Sequence, residues 1–463
     1  MQKQSVMYQY LAAIIVGLFK LTDGMLIGWM SPNKSLLESD ETPLTFGKLN
    51  EEQTTWISSM MPIGGTTGTI VFGFIVNKFG RKFPLIALIV PSIIGWLLLI
   101  FPQNVYYFYL ARFVQGFTIG ASYVVTPVYL LEIADDRVRG LLGASLIINE
   151  NIGVLLGYAL GGFCHYSILP AVAIGLNVLF VAFFVWFPET PAFLLKQDKI
   201  SQSEKSIRFY RNVRNSPDDA DDVVELVMGK LKRAITSMDS ANVDGNRLKM
   251  SDVTTRPGSK ALLIATVLVM LSQLSGVFAM LNYASDIFKK SGSKLSPNLS
   301  SVLVQGVQTV GVCVVSTLVE RAGRRFLYLT STIGTALGYV VMGVYLLLKF
   351  TGYEVEPFNW IPMVCVSYIL FISSWAVSSL TFAVSAELLP QKLRELGITY
   401  CAILLGLLAF LVLKFYIALG DAIGEHNLMF IFAGACVLGA IYIHVALPEI
   451  KGRSYEDIMN KLR

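Results

Sequence analysis

The sequence predicts an all-α membrane protein with twelve transmembrane helices in two pseudo-symmetric six-helix bundles and a cytoplasmic helical linker. Three features predict this fold class: the apolar composition, the uneven distribution of charge and an internal duplication. Of the 463 residues, 54% are apolar and 15% are charged, whereas soluble domains carry about 25% charged residues. A chain of this length with so few charges cannot cover itself with a charged shell, so most of its surface must face lipid.

Charged residues concentrate in one central segment. Residues 188–258 hold 23 of the 69 charged residues, 12 of them basic and 11 acidic. We therefore expect a six-helix bundle in 1–187, a cytoplasmic linker with short helices in 188–258, and a second bundle with a cytoplasmic tail in 259–463. The net charge is +5 and no basic stripe is concentrated anywhere, which excludes a nucleic-acid-binding protein.

Twelve segments are apolar enough to cross a bilayer, which takes about 20 residues per helix. They are 8–29, 54–76, 83–101, 107–131, 141–162, 169–187, 259–287, 299–319, 327–348, 360–386, 397–419 and 427–447.

Basic residues in the short loops predict the orientation. The loops after even-numbered spans carry lysine and arginine, such as Arg81 after span 2 and Arg324 after span 8. These loops, both termini and the linker are therefore expected in the cytoplasm, in a multi-pass protein of the plasma membrane. The N-x-S triplets at Asn33 and Asn298 would then lie outside and are predicted glycosylation sites.

The cysteines and histidines do not form a reactive or metal-binding pattern. The five cysteines are scattered singly, and the three histidines have no metal-ligand spacing. No nucleophile and base pair appears either. We therefore expect no metal, no cofactor and no enzymatic activity.

Related motifs recur in the two halves in the same order. Gly80 and Gly323 follow spans 2 and 8, and Glu132 and Glu387 each precede an arginine by seven residues, after spans 4 and 10. The pairs Pro188-Glu189 and Pro448-Glu449 end spans 6 and 12. Matching motifs at slowly growing offsets predict an internal repeat.

Charged residues in these motifs are suited to forming ion pairs that close the cytoplasmic face of the bundles and break when it opens. Glycine permits tight turns, and an arginine such as Arg81 can bind a carboxylate such as Glu132 through two hydrogen bonds. Pairs that close in one conformation and break in another would allow two rigid halves to rock. The alternative is that the basic residues only obey the orientation rule. The predicted switch residues are Gly73, Gly80, Arg81, Glu132, Arg139, Glu320, Arg321, Gly323, Arg324, Glu387 and Arg394.

On these motifs the chain resembles a sugar porter of the major facilitator superfamily over essentially its whole length. The motifs are Gly73…Gly80-Arg81-Lys82, Pro127-Val128-Tyr129…Glu132…Arg139-Gly140, Pro188-Glu189-Thr190-Pro191, Gln273-Leu274-Ser275-Gly276, Glu320-Arg321-Ala322-Gly323-Arg324-Arg325, Glu387…Arg394 and Pro448-Glu449-Ile450-Lys451-Gly452. Gly28-Trp29-Met30-Ser31-Pro32 and the stretch 282–288 look most like the insect facilitated trehalose transporter-like branch.

The resemblance implies a sugar site built from Gln273, Gln308, Asn151 and Phe382. Amides both donate and accept hydrogen bonds, and an aromatic ring can cover the apolar face of a sugar. The alternative role of the three amides is to join helices. Ser272 stands where hexose transporters carry a glutamine, and spans 10 and 11 lack several family contacts. A common glucose site is therefore in doubt, and a different or larger sugar or a loss of transport stays open.

Asp23 in span 1 and Arg112 in span 4 match the places where proton-coupled sugar porters carry an aspartate and an arginine. A buried carboxylate takes up a proton when its cation moves away. The alternative is a permanent ion pair of Asp23 with Lys20 or Arg112.

The predicted function is a sugar carrier of the trehalose or hexose class that works by facilitated diffusion and alternating access. Two alternatives stay open: a proton-coupled symporter using Asp23 and Arg112, and a nontransporting sugar sensor. The expected partners are the sugar, bilayer lipid and, for the symporter, protons; we expect a monomer that binds no nucleic acid.

Overall fold

The first bundle consists of six membrane-crossing helices, one of which is broken. The computed structural model describes residues 6–212, 224–233, 236, 256–291, 295–390, 393–451 and 457, and the regular elements within them are helices. In the first bundle these are α1 (Met7–Leu37), α2 (Glu51–Phe79), α3 (Lys82–Ala87), α4 (Ile89–Ile100), α5 (Val105–Ile133), α6 (Arg139–Phe163) and α7 (Ile168–Phe184).

Short helices follow in the polar segment between the bundles. They are α8 (Pro191–Lys196), α9 (Ile200–Tyr210) and a helix at 224–233. Leu195, Ile207, Val224 and Met228 pack into a small apolar cluster that joins all three. The predicted linker therefore contains short helices, while its acidic run at 218–222 lies outside the described residues.

The second bundle repeats the first, with more interruptions. Its helices are α10 (Arg256–Leu274), α11 (Val277–Asn282), α12 (Ala284–Ser291), α13 (Pro297–Ala322), α14 (Arg324–Phe350), α15 (Ile361–Ser373), α16 (Thr381–Leu388), α17 (Arg394–Ile423) and α18 (Glu425–Ala446). In the described residues, ten helical stretches are long and apolar enough to span a membrane, and α7 and α15 are shorter apolar helices. The prediction of an all-helical protein with twelve crossings is confirmed.

Spans 7 and 10 differ from the continuous helices that we predicted. Span 7 breaks at Gly276, whose φ of +73° is a left-handed conformation that glycine adopts easily. Span 10 breaks between Ser373 and Thr381, where serine hydroxyls bind backbone carbonyls: Ser379 Oγ donates to Ser374 O at 2.7 Å. Such bonds offer the backbone an alternative to the helix.

The predicted glycosylation sites Asn33 and Asn298 both form hydrogen bonds within the protein in this structure. Helix α1 continues past its expected end to Leu37, and Asn33 within it is only 1% exposed. Its Nδ2 donates to Trp29 O at 2.7 Å. Asn298 lies partly buried between the bundles, where its Nδ2 donates to Gly162 O at 3.0 Å. Both amide nitrogens are engaged with backbone carbonyls, so glycosylation at these positions stays a prediction.

The two bundles meet at one end of the molecule and have separate cores at the other. We call the end that carries α8 and α9 the linker end, and the opposite end the far end. The far-end core mixes both bundles, for example Trp29 with Met280. At the linker end, Tyr129 belongs to a core of the first bundle and Leu388 to a core of the second. The described contacts therefore close the far end and leave the linker ends of the bundles apart.

Candidate functional site

Serine hydroxyls join the bundles at the far end. Ser31 Oγ of α1 lies 3.1 Å from Ser285 Oγ of α12 and accepts a hydrogen bond of 3.0 Å from the backbone N–H of Ser285. Ser301 Oγ of α13 is 3.2 Å from the same Ser285 hydroxyl. All three serines are at most 2% exposed, so these contacts form a sealed polar seam between α1 and the second bundle.

A charged group continues this seam toward the far surface. Lys34 Nζ lies 2.9 Å from Glu38 on its own helix and 2.9 Å from Asp286 of the second bundle. Lys34 is 3% exposed, and Ser35 Oγ donates to Asp286 at 3.3 Å. The contact between Lys34 and Asp286 joins the two bundles, so it is present only while the far end is closed.

Lys414 forms a third contact between the bundles. Its Nζ lies 3.3 Å from Thr55 Oγ1 and 4.3 Å from the centre of the Trp56 ring, both on α2. A cation over an indole face is attracted by the quadrupole of the ring. Lys414 is thus paired across the boundary instead of reaching only toward lipid headgroups.

The predicted amides Gln273 and Gln308 are buried with unused hydrogen-bonding capacity. Gln273 on α10 is 7% exposed and Gln308 on α13 is 4% exposed. The Oε1 atom of each has no hydrogen-bond partner among the described residues. Gln273 lies beside the helix break at Gly276, and discontinuous helices are where many carriers bind their substrate.

The other two predicted sugar contacts are placed differently. Asn151 on α6 donates to Ile147 O at 2.9 Å, and its Oδ1 lies 3.5 Å from Gln305 Nε2 of α13, across the bundle boundary. Phe382 at the start of α16 is 38% exposed. The sequence did not single out Gln305, which is fully buried and whose Oε1 also has no partner in the described part of the chain.

Five residues of the first bundle and the start of the linker form a compact unit at the linker end. Arg81 Nε and Nη2 donate to Glu132 Oε1 at 3.0 and 2.7 Å, so the expected contact is present. Glu189 Oε2 accepts from the backbone N–H groups of Arg81 and Lys82, each at 3.0 Å. Gly80 adopts a φ of +89°, and a Cβ there would lie 2.3 Å from Glu189 Oε2.

The second bundle repeats this unit in weaker form. Arg324 Nη2 lies 3.3 Å from Glu387 Oε1, and the Arg324 N–H donates to Glu449 Oε1 at 3.1 Å. Gly323 has a φ of +88°, and its Cβ would lie 2.8 Å from Glu449 Oε2. The duplication seen in the sequence is therefore a duplication of contacts, and the contact between Arg324 and Glu387 is longer than those between Arg81 and Glu132.

The remaining predicted switch residues with described side chains show no contact to these two units. A Cβ atom added at Gly73 would have no neighbouring atom within 4 Å among the described residues. Arg139 is 52% exposed and pairs with Asp136 of its own loop at 3.2 Å. The Nε of Arg394 is buried without a partner among the residues described. Arg321 contributes its carbonyl, which accepts from Lys451 Nζ at 2.5 Å, and the side chain of Glu320 lies outside the described residues.

Helix α9 of the linker is anchored to the loop between α5 and α6. Asp135 in this loop contacts the guanidinium groups of Arg137 and Arg211. Partial burial raises the pKa of Asp135, but the hydrogen bonds from Arg137 and the charge of Arg211 outweigh it and lower that pKa to about 2. Asp135 therefore stays ionised and holds α9 against the first bundle.

Asp23 is paired with Lys20 instead of Arg112. Lys20 Nζ lies 3.0 Å from Asp23 Oδ2 and 2.8 Å from Glu150 Oε2 of α6. Ser122 Oγ of α5 donates to the same Asp23 oxygen at 2.6 Å. Of the alternatives that the sequence left open for Asp23, the structure contains the ion pair with Lys20.

Arg112 lies deeper in the far-end half of the first bundle. Its Nη1 donates to Leu26 O at 2.8 Å, and its guanidinium lies 5.5 Å from the centre of the Trp29 ring. Arg112 is fully buried, and its Nε and Nη2 have no partner within the described residues. The expected pair of Asp23 and Arg112 is therefore not formed in this conformation.

Sequence reasoning missed several of these groups because their partners are distant in the chain. Glu150 is 130 residues from Lys20, and Asp286 is 252 residues from Lys34. Lys20 inside span 1 was the available signal, since a buried ammonium requires carboxylates nearby.

Known proteins similar to this chain are transporters. The family model for sugar (and other) transporters matches residues 5–462. The facilitated trehalose transporter Tret1 of Polypedilum vanderplanki is 29% identical over 456 residues, which cover 98% of this chain and 88% of that protein. Tret1 of Culex quinquefasciatus is 27% identical, with 98% and 86% covered.

The fold is shared with a solved bacterial carrier. The inward open conformation of the xylose transporter XylE from E. coli superposes with a TM-score of 0.76 at 17% sequence identity, covering 98% of this chain and 100% of that one. The relatives are carriers and not enzymes, as the sequence predicted. The chain belongs to the sugar (and other) transporter family and is a multi-pass membrane carrier with the major facilitator fold.

Proposed function

We propose that this protein carries a sugar of the trehalose or hexose class across the membrane by facilitated diffusion. The observation that carries the proposal is the pair of buried amide oxygens on Gln273 and Gln308 that lack a partner among the described residues. A buried acceptor without a donor is costly, and sugar hydroxyls supply donors. Asn151 and Phe382 complete the proposed site, as the resemblance implies. The trehalose transporters among the relatives support this substrate class.

The contacts between the bundles support alternating access. The seam at Ser31, Lys34 and Ser285 closes the far end, while the linker-end cores are separate. We infer that residues 1–187 and 259–463 move as rigid bodies about the amides, with 188–258 as the connection. The units around Arg81 and Arg324 would then hold the helix ends of each body together. Their charged residues would exchange partners when the linker end closes.

The linker end is assigned to the cytoplasm. Short loops at this end carry Arg81, Lys82, Arg324 and Arg325, and such loops stay on the cytoplasmic side. Both termini, the linker and the open side would then face the cytoplasm, in a monomeric protein of the plasma membrane.

Uptake into liposomes tests the substrate. We expect the purified protein to give saturable uptake of labelled trehalose, glucose or fructose. Gln273→Ala and Gln308→Ala should each raise the KM about tenfold, because each removes a buried hydrogen bond worth about 1–3 kcal/mol. Gln202→Ala, which changes an exposed amide of α9, is the matched control and should leave the KM unchanged.

Two outcomes would contradict the proposal. Saturable flux of an amino acid or an organic anion with no competition by sugars would overturn the substrate class. Absence of carrier-dependent flux for every sugar tested would favour the sensor.

Facilitated diffusion is favoured over proton symport because Arg112 is engaged with Leu26 O and Trp29, away from Asp23. A pH gradient imposed across the liposome membrane should therefore not drive sugar accumulation. Accumulation against a sugar gradient would identify a symporter instead.

A further inference from the structure

A cavity of about 410 Å³ lies at the linker end of the first bundle. It is bounded by the start of α3, by the chain that follows α7 and by α9. None of the residues proposed to bind sugar lines it. Two ammonium groups and three aromatic rings line the cavity, those of Lys82, Lys205, Trp186, Phe187 and Phe209. A ligand that fits such a lining has an anionic group attached to an apolar body.

Hydrogen bonds hold the walls of the cavity together. Ser206 Oγ of α9 donates to Glu189 O at 2.6 Å, and Tyr210 Oη of α9 donates to Pro188 O at 2.7 Å. Ser206 and Tyr210 are fully buried, so these bonds keep α9 against the chain that follows α7. Binding sites for small molecules are usually formed before the ligand arrives. The shape of the cavity is therefore fixed by the protein itself.

The charge of the cavity is positive. Lys82 Nζ donates to Val185 O at 2.7 Å, which leaves two of the three N–H bonds of its ammonium group. Lys205 is exposed, and neither lysine pairs with a carboxylate in the part of the chain that the structure describes. Glu189 also lines the cavity, but its Oε2 accepts two backbone N–H bonds of 3.0 Å and its Oε1 accepts one of 2.8 Å. These bonds compensate the carboxylate, so the two ammonium groups can bind an anion.

The cavity lies where the chain meets the surface of the membrane. Helix α3 starts the third crossing at Lys82, and α7 ends the sixth crossing at Phe184, two residues before Trp186. Trp186 is 81% exposed, and Phe83 is 61% exposed. Tryptophan is enriched at the level of the lipid headgroups, because its ring is apolar and its N–H is polar. The cavity therefore faces lipid headgroups.

We propose that this cavity binds the headgroup of an acidic phospholipid from the leaflet at the linker end. The phosphate accepts hydrogen bonds from Lys82 and Lys205, and the first acyl carbons lie along Trp186 and Phe187. Basic residues next to a membrane surface attract acidic lipids. A soluble phosphate has the same charged group but no apolar part for the aromatic rings to cover. A lipid held between α3 and α9 joins the linker to the first bundle.

Quenching of tryptophan fluorescence by brominated lipid tests the proposal. The full-length protein is reconstituted in phosphatidylcholine vesicles, and part of the lipid is replaced by phosphatidylserine with brominated acyl chains. We expect this lipid to quench more fluorescence than the same fraction of brominated phosphatidylcholine, because it is retained beside Trp186. Trp186→Phe should remove this excess quenching. Lys205→Gln should raise the fraction of phosphatidylserine needed for half of the excess about fivefold, and adding Lys82→Gln should raise it further.

Lys196→Gln with Lys199→Gln is the matched control, because it removes two exposed lysines that do not line the cavity. This variant should keep the wild-type excess. Equal quenching of the wild-type protein by the two brominated lipids would overturn the proposal, and so would an excess that Lys205→Gln or Trp186→Phe leaves unchanged. Loss of the excess when inorganic phosphate is added at constant ionic strength would identify a soluble phosphate as the occupant and overturn the lipid. Sugar flux plays no part in this measurement, so its outcome is independent of the proposed function.

Discussion

Ser31 and Ser285 place their hydroxyl oxygens 3.1 Å apart across the boundary between the two bundles. Both residues are nearly inaccessible, and they belong to α1 and α12, which must separate if the far end opens. The distance between these two atoms therefore reports whether the far end of the carrier is closed.

Replacing both serines by cysteine should lock the carrier. Their γ atoms are close enough for a disulfide once the side chains adjust. In a background whose five native cysteines are replaced, oxidation of the Ser31→Cys, Ser285→Cys variant should abolish sugar uptake, and a reductant should restore it. Ser31→Cys alone is the control and should be insensitive to the oxidant. Full uptake by the crosslinked protein would show that the far end need not open.

Removing the ammonium of Lys34 should favour opening of the far end. Lys34→Met leaves Asp286 without its buried cation, which costs the closed far end about 1–3 kcal/mol. The equilibrium should shift toward the far-open state by about 5- to 150-fold. Labelling of a cysteine placed at Ser301 by a membrane-impermeant reagent would measure this shift. Lys48→Met is the control, since its pair with Asp40 is exposed at the surface; equal labelling in the two variants would contradict the prediction.

The two arginine–glutamate contacts should differ in strength. Glu132 accepts two hydrogen bonds from a buried Arg81, whereas Glu387 accepts a longer bond from Arg324 and is 37% exposed. We expect Glu132→Gln to destabilise the protein by about 2–3 kcal/mol and Glu387→Gln by less than about 1 kcal/mol. Thermal unfolding in detergent should show the larger loss of Tm for Glu132→Gln. Equal losses would mean that the repeat is energetically symmetric.

Alanine at Gly80 should damage both stability and transport. Its left-handed φ costs a residue with a Cβ about 1–2 kcal/mol, and the added carbon would displace Glu189 from the N–H groups of Arg81 and Lys82. Gly323→Ala should show a smaller loss, since its Cβ would lie farther from Glu449.

Gly73→Ala provides the comparison within helix α2. Open space surrounds Gly73, so alanine should leave stability unchanged or raise it by about 0.5–1 kcal/mol. Loss of transport at unchanged stability would indicate that Gly73 packs closely in another conformation.

Much of the fold could be predicted from local properties of the chain. Span positions depend on runs of apolar residues, which are visible in sequence because a bilayer requires about 20 of them in succession. The repeat could be recognised because Gly80 and Gly323 are each followed directly by two basic residues. The contact of Arg81 with Glu132 could be expected because both residues lie where spans reach the linker end.

The partners of the charges within span 1 depended on the rotation of each helix and on the neighbour it packs against. Asp23 has Lys20 on its own helix one turn away, which a sequence suggests, but Glu150 and Ser122 join them only because α1, α5 and α6 come together. The break in span 10 likewise depends on Ser331 of α14, whose hydroxyl binds the carbonyl of Ile372 at 2.7 Å.

The sequence by itself determined the number of spans, the polar linker and the repeated motifs, because hydropathy and spacing are properties of one stretch of chain at a time. Only the tertiary structure decided that the far end is closed, that Asn33 is buried and that Asp23 pairs with Lys20. Those outcomes depend on which faces of distant helices meet, and in a span that is apolar all around, periodicity does not distinguish the face that meets lipid from the face that meets another helix.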